Sequence, residues 1–249
     1  MRAHPVAVLL ACGLLLIGCR KPEDPNTLLV LCGNSFRPPM EALEKAFEEQ
    51  SEVEIDLSIG QSEDLLPKVK IAAEGDVFVS HDPYLDYTEE ADALLEGVQV
   101  GHVAPVLVVP KGNPAGVKSI EDLAKPGVKV ALPDARYSTC GEMLDKLLEK
   151  KGIKEAVLEN AGGAIFRSHS DTGTSLQVGE REAGVMWTGT AHTFRDSIEV
   201  VPTPYEYDET IRVWVMGLSY TENEALVRQF LEFVKTEGPP IFAEYGYTK

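Results

Sequence analysis

The stretch "LLVLCGNSFRPPMEAL", residues 28–43, changes character twice. An apolar run ends in Cys32-Gly33-Asn34-Ser35, and after Phe36-Arg37-Pro38-Pro39 a helical spacing sets in. A short apolar run bounded by a polar turn reads as a buried strand. Met40, Leu43, Ala46 and Phe47 fall on one face of an amphipathic helix. Pro38 and Pro39 suit its first turn, where the missing N–H groups have no helical partner in any case. Strand, polar turn and helix together form the repeating unit of an α/β fold. Such a turn also presents unpaired N–H groups and a hydroxyl at the carboxyl end of a strand, where open α/β sheets bind ligands.

The unit recurs along the chain. "VEIDLSI" (53–59) alternates as a half-exposed strand, and "EDLLPKVKIAAEG" (63–75) is helical, with Pro67 expected in the first turn. "DVFVS" (76–80), "VAPVLVVPKGNP" (103–114) and "VKVALPD" (128–134) read as strands, with a short helix at 119–127. "STCGEMLDKLLEKKG" (138–152) carries a Thr139-x-x-Glu142 capping box and stops at Gly152. Residues 164–187 give strand, polar turn, helix and strand again. A long strand over 208–219 is followed by a helix opened by Thr221-x-x-Glu224 and closed at Gly238-Pro239-Pro240. Four turns, "CGNS" (32–35), "IGQS" (59–62), "YSTCG" (137–141) and "SHSDTG" (168–173), each precede a helix. Each taken alone reads equally well as an ordinary cap.

The chain has 249 residues, enough for one large domain or two lobes. Its 40 acidic and 23 basic residues leave a net charge of −17, which argues against a nucleic-acid partner. "VAVLLACGLLLIG" (6–18), after Arg2, reads as the apolar core of an export signal too short to span a bilayer comfortably. It ends in Leu16-Ile17-Gly18-Cys19, which resembles a bacterial lipobox. This implies a signal at 1–18, a lipidated Cys19, a tether over 19–26 and an exported protein, periplasmic or at the cell surface, anchored to a membrane by acyl chains.

From Leu29 onward the chain resembles the periplasmic molybdate- and tungstate-binding proteins of ABC importers. The resemblance is carried by Ser35 in its small-residue turn, by "IGQSEDLLPKVKIAAEGDVFVSHDPYLDY", by "VLVVPKGNP", by the 138–152 helix, by "GVMWTGTA" and by the closing "IFAEYGYTK". It implies a type II periplasmic binding protein fold: two α/β lobes joined by two crossover strands, with a ligand cleft between them. Lobe one would be 27–103 with 211–249, and lobe two 104–210. It further implies a monomer that hands a small tetrahedral oxyanion to an ABC permease, with no cofactor, no metal and no catalysis. Carried over by position, the family's binding groups fall on the Ser35 and Ser62 hydroxyls, the backbone N–H of Cys140 and of Thr172, and Trp187 in place of a tyrosine.

The chemistry of that set is coherent. A fully deprotonated dianion accepts hydrogen bonds and donates none, so hydroxyls, backbone N–H groups and an indole N–H suit it. Phosphate would want an acceptor for its remaining hydrogen. Cys32, Cys140, Glu63 and Asp64 depart from the family pattern and leave sulfate, thiosulfate or a soft metal ion as alternative ligands, and an anion or redox sensor as an alternative role. Cys32, Cys140 and His169 could together hold a soft metal. Cys140 at a helix N-terminus could be an activated thiol. No P-loop or serine-hydrolase signature is present.

Overall fold

A computed structural model describes residues 26–202 and 211–248. The signal, Cys19, the tether up to residue 25 and the first residues of the 208–219 strand therefore lie outside the described residues. Two five-stranded sheets, each flanked by helices, form two α/β lobes. The first holds β1 (Thr27–Gly33), β2 (Glu54–Gly60), β3 (Val77–His81), β4 (Leu94–Val103) and β10 (Ile211–Leu218) in the order β2-β1-β3-β10-β4. β1 runs parallel to β2 and β3, whereas β10 is antiparallel to both its neighbours. The second holds β5 (Pro105–Pro110), β6 (Val130–Pro133), β7 (Ile165–Phe166), β8 (Ala183–Trp187) and β9 (Ile198–Val200) in the order β7-β6-β8-β5-β9. Only Ala104 separates β4 from β5, so the strand read from residue 103 begins at the crossing between sheets. β10 carries the chain back to the first sheet, and residues 203–210 before it lie outside the described set.

The helices are α1 (Arg37–Glu48), α2 (Ser62–Pro67), α3 (Tyr84–Glu89), α4 (Thr139–Lys151), α5 (Lys154–Ala161), α6 (His169–Gln177), α7 (Thr188–Thr193) and α8 (Glu224–Glu244). α1 buries Pro39, Met40, Leu43 and Phe47, and the Phe47 ring meets Phe230 and Phe233 of α8 at 5.1 and 5.2 Å. Each such side chain contributes about 1.5–3 kcal/mol by leaving water. This contact explains why the C-terminal helix belongs to the first lobe. In the second lobe, β5, β6 and β8 are buried along almost their whole length.

Three local readings change. Ser138, with extended φ −147° and ψ 121°, caps α4 and accepts from the Gly141 N–H at 3.4 Å, so the capping residue lies one position before Thr139. Pro67 ends α2, and Lys68–Ala72 follow as a wider π-helical turn that absorbs the missing N–H. α8 continues through Gly238, Pro239 and Pro240 to Glu244. Burial of Gly238 and Phe242 on its inner face outweighs the local stop signal.

Candidate functional site

The four polar turns meet. A small cavity is lined by residues 33–36 at the end of β1, by 61–63 at the start of α2, by 137–139 at the start of α4, and by Arg167 and His169 at the start of α6. His81, Tyr84 and Trp187 complete the wall. The parallel strands β1, β2 and β6 run their carboxyl ends toward it, the expected place for a ligand.

Ser35, Ser62 and Trp187, all expected from the sequence, line this cavity. The Ser62 hydroxyl accepts from the fully buried Ser80 hydroxyl at 2.8 Å, which leaves its own hydrogen free for the cleft. Gly33 is required beside it, because a Cβ there would come within 2.7 Å of Ser62 Oγ. Among the described residues the Ser35 hydroxyl and the Trp187 indole N–H meet no protein partner. The Ser35 carbonyl, by contrast, accepts from the Tyr247 hydroxyl.

Cys140 and Thr172 are fully buried and their side chains do not line the cavity. In α4 the Ser138 hydroxyl holds the Gly141 N–H and the Ser138 carbonyl holds that of Glu142. The Thr139 and Cys140 N–H groups precede any helical acceptor and stay at the open end of the helix. In α6 the Thr172 N–H points back to the Ser168 carbonyl at 3.4 Å, and its hydroxyl is buried without a partner.

Two histidines stand in the wall: His169, expected in the fourth turn but there as a candidate metal ligand, and His81, which the sequence did not single out. His81 ends β3 and His169 opens α6, and both are buried at the cavity wall. Their rings flank Trp187, with centroids 5.3 and 5.8 Å away. His169 Nε2 lies 3.2 Å from the Ser138 hydroxyl, and its Nδ1 is buried without a partner. Burial, and to a lesser degree His81, lowers the His169 pKa to about 3. Burial likewise lowers that of His81. The signal was positional: each sits at a strand end or helix start, where open sheets bind ligands.

Charge at the cavity is balanced. Glu63 and Arg167 are its charged lining residues, and they pair with each other at 3.3 Å. Arg167 also holds Asp64 at 2.9 Å and stacks on the Tyr137 ring at 4.3 Å. The two carboxylates after Ser62 therefore face a guanidinium of the opposite lobe. Asn34 reaches the Ser168 hydroxyl across the same gap at 3.5 Å.

Cys32 and Cys140 are free, buried thiols, and burial is the main cause raising both pKa values far above the ordinary thiol range. Neither is an activated nucleophile. Among the described residues no group of three or more His, Cys, Asp or Glu is placed to hold a metal, so Cys32, Cys140 and His169 do not form the soft site considered above. No described helix is long and apolar enough to cross a membrane.

Comparison with known proteins agrees with this architecture. The molybdate-binding protein ModA of Mycobacterium tuberculosis is 24% identical over 263 aligned positions, which cover 98% of this chain and 96% of that protein. The periplasmic molybdate-binding protein of Azotobacter vinelandii superposes with a TM-score of 0.69 at 19% identity, over 89% of this chain and 99% of that one. The sulfate-binding protein SubI of Mycobacterium tuberculosis gives 0.71 at 17% identity, over 89% and 86%. The family model for bacterial extracellular solute-binding proteins matches residues 28–248. Two lobes with four helix-opening turns around one polar cavity, matched over nearly the whole chain, place this protein in the bacterial extracellular solute-binding protein family.

Proposed function

We propose that the protein captures a small tetrahedral oxyanion, molybdate or tungstate, and delivers it to an ABC permease. The observation that carries this reading is the convergence of four helix-opening turns on one small cavity whose charged lining residues neutralise each other. Such a site recognises an anion through neutral donors. The Ser35 and Ser62 hydroxyls bind from the first lobe. The Cys140 N–H at the head of α4 and the Trp187 indole N–H bind from the second. The Thr172 N–H, already engaged by Ser168, steadies α6. The lobes divide at 27–103 with 211–249 and at 104–210. The protein works as a monomer, held at the membrane outside the cell's cytoplasm through lipidated Cys19.

Thermal denaturation with molybdate, tungstate, sulfate, phosphate and divalent metals tests the ligand. A rise in Tm with molybdate and tungstate alone is the expected result, because a ligand that binds only the folded state stabilises it. No rise with any oxyanion would sink the reading. A second reading, in which sulfate or a hydrogen-bearing anion is the ligand, draws support from the fold shared with the sulfate-binding protein and from the histidine at the wall.

A further inference from the structure

We propose that the anion-loaded cleft holds one hydrogen between His81 Nε2 and a ligand oxygen, either brought by a hydrogen-bearing anion or taken up from solvent when the anion carries none. This hydrogen deepens, and rests on, the oxyanion reading above.

His81 Nδ1 lies 2.6 Å from the carbonyl oxygen of Asp82. A carbonyl only accepts, so Nδ1 carries the ring hydrogen and Nε2 of the neutral ring presents a lone pair. Among the described residues no protein group meets that nitrogen, and His81 is part of the cavity wall. The ring is packed against Phe36, Tyr84 and Trp187, with centroids 6.0, 5.3 and 5.3 Å away. This apolar collar favours the neutral form of the His81 ring.

The titratable and charged groups around it can be named element by element. Asp82 follows it on β3, with its carboxylate tied to Arg212 at 2.8 Å and to the Trp214 N–H at 2.9 Å from β10. Tyr84 faces it from α3, and His169 approaches from α6 on the far side of Trp187. Glu63 of α2 is engaged by Arg167. None of these places a hydrogen on Nε2.

The other groups in the proposed ligand set are donors. A fully deprotonated dianion would therefore meet hydrogens from that set, whereas at His81 lone pair would oppose lone pair. Protonation of Nε2 turns that contact into a charge-assisted hydrogen bond, and the anion supplies the opposite charge that favours it. Hydrogen phosphate or a similar anion needs no such uptake, because its own O–H donates to Nε2. The imidazole is thus an acceptor that distinguishes hydrogen-bearing from bare oxyanions through pH.

Calorimetric titration near pH 8, repeated in two buffers of different ionisation enthalpy, counts protons taken up per anion bound. Molybdate carries no hydrogen there and phosphate carries one. About one proton per molybdate is expected, with affinity falling roughly tenfold per pH unit. Where phosphate binds, uptake near zero is expected. In His81→Gln, whose amide N–H donates at any pH, molybdate uptake should vanish together with the pH dependence. Molybdate binding with no uptake and a flat pH profile in the unaltered protein overturns the proposal, as does one proton taken up per phosphate. If no anion gives a binding signal, the oxyanion reading itself has failed, and that is evident before any proton is counted.

Discussion

Ser62 is where the proposed anion site and the packing of the fold meet in one hydroxyl. It accepts from Ser80, so its hydrogen is left for the cleft, and Gly33 leaves room for it. Ser62→Ala should therefore do two separable things. Anion binding should weaken by roughly 1.5–3 kcal/mol, the scale of a hydrogen bond to a charged group. The fully buried Ser80 hydroxyl would also lose its acceptor, at a cost of about 1–3 kcal/mol in stability. Ser80→Ala removes the buried donor along with the bond and should leave affinity within about threefold, well short of the tenfold that 1.4 kcal/mol represents. Titration calorimetry and thermal melts on the two variants check this, and equal affinity for Ser62→Ala and the unaltered protein would remove Ser62 from the site. Ser62 was legible in the sequence because a strand, a small polar turn and a helix surround it. Its bond to Ser80 was not, because that depends on β3 lying beside β1, a matter of sheet order and not of local pattern. His81 was missed for a related reason: its neighbours Trp187 and His169 come from the other lobe.

At the scale of the element, local pattern succeeded where propensity and packing agree and failed where they conflict. β1, β3 and α1 follow directly from apolar runs and helical spacing. β4 escaped notice because Gly97 and Gly101 interrupt it and its pairing with β10 shifts register twice. Gly101 is needed there, since a Cβ would come within 2.4 Å of the Tyr247 carbonyl oxygen. α8 is the opposite case: its Gly238-Pro239-Pro240 stop signal is real, yet the helix passes through it. Gly238 is buried against Val100, and a Cβ would lie 2.8 Å from that side chain. Pro239 faces solvent. Pro239→Ala should stabilise the protein by about 2 kcal/mol, the helix-interior penalty of about 3 less the unfolded-state advantage of proline. Gly238→Ala should lower Tm despite alanine's better helix propensity, because β4 has no room for the methyl. A Tm increase for Gly238→Ala would show that the C-terminal part of α8 is not held against β4.

At the scale of the whole molecule, the proposed anion capture makes closure of one lobe on the other a determinant of affinity. Among the described residues the contacts between the lobes include Arg167 to Glu63 and Asp64, Asn34 to Ser168, His81 to Trp187, and Tyr247 over Gly189. The Tyr247 hydroxyl donates to the Ser35 carbonyl while its ring covers Gly189 of α7, where a Cβ would come within 2.2 Å of it. Glu63 and Asp64, which in the sequence look hostile to an anion, make sense as the counter-charge of this latch. Arg167 is 45% exposed, so its ion pairs are each worth about 0–1 kcal/mol. The stack on Tyr137 joins two residues of the same lobe and so orients the guanidinium without itself closing the cleft. Arg167→Ala should thus cost closure about 1 kcal/mol, a shift of roughly fivefold toward the open form. Small-angle scattering should show a larger radius of gyration for the ligand-free variant than for the unaltered protein, and the same radius for both once the anion is bound. The dissociation constant should rise, by up to about fivefold, because only the closed fraction binds fully. Raising the salt concentration should weaken binding by the unaltered protein more than by the variant, since screening acts on an exposed ion pair that the variant no longer has. Identical ligand-free radii and identical salt dependence would mean that the arginine decorates the mouth of the cleft without holding it shut.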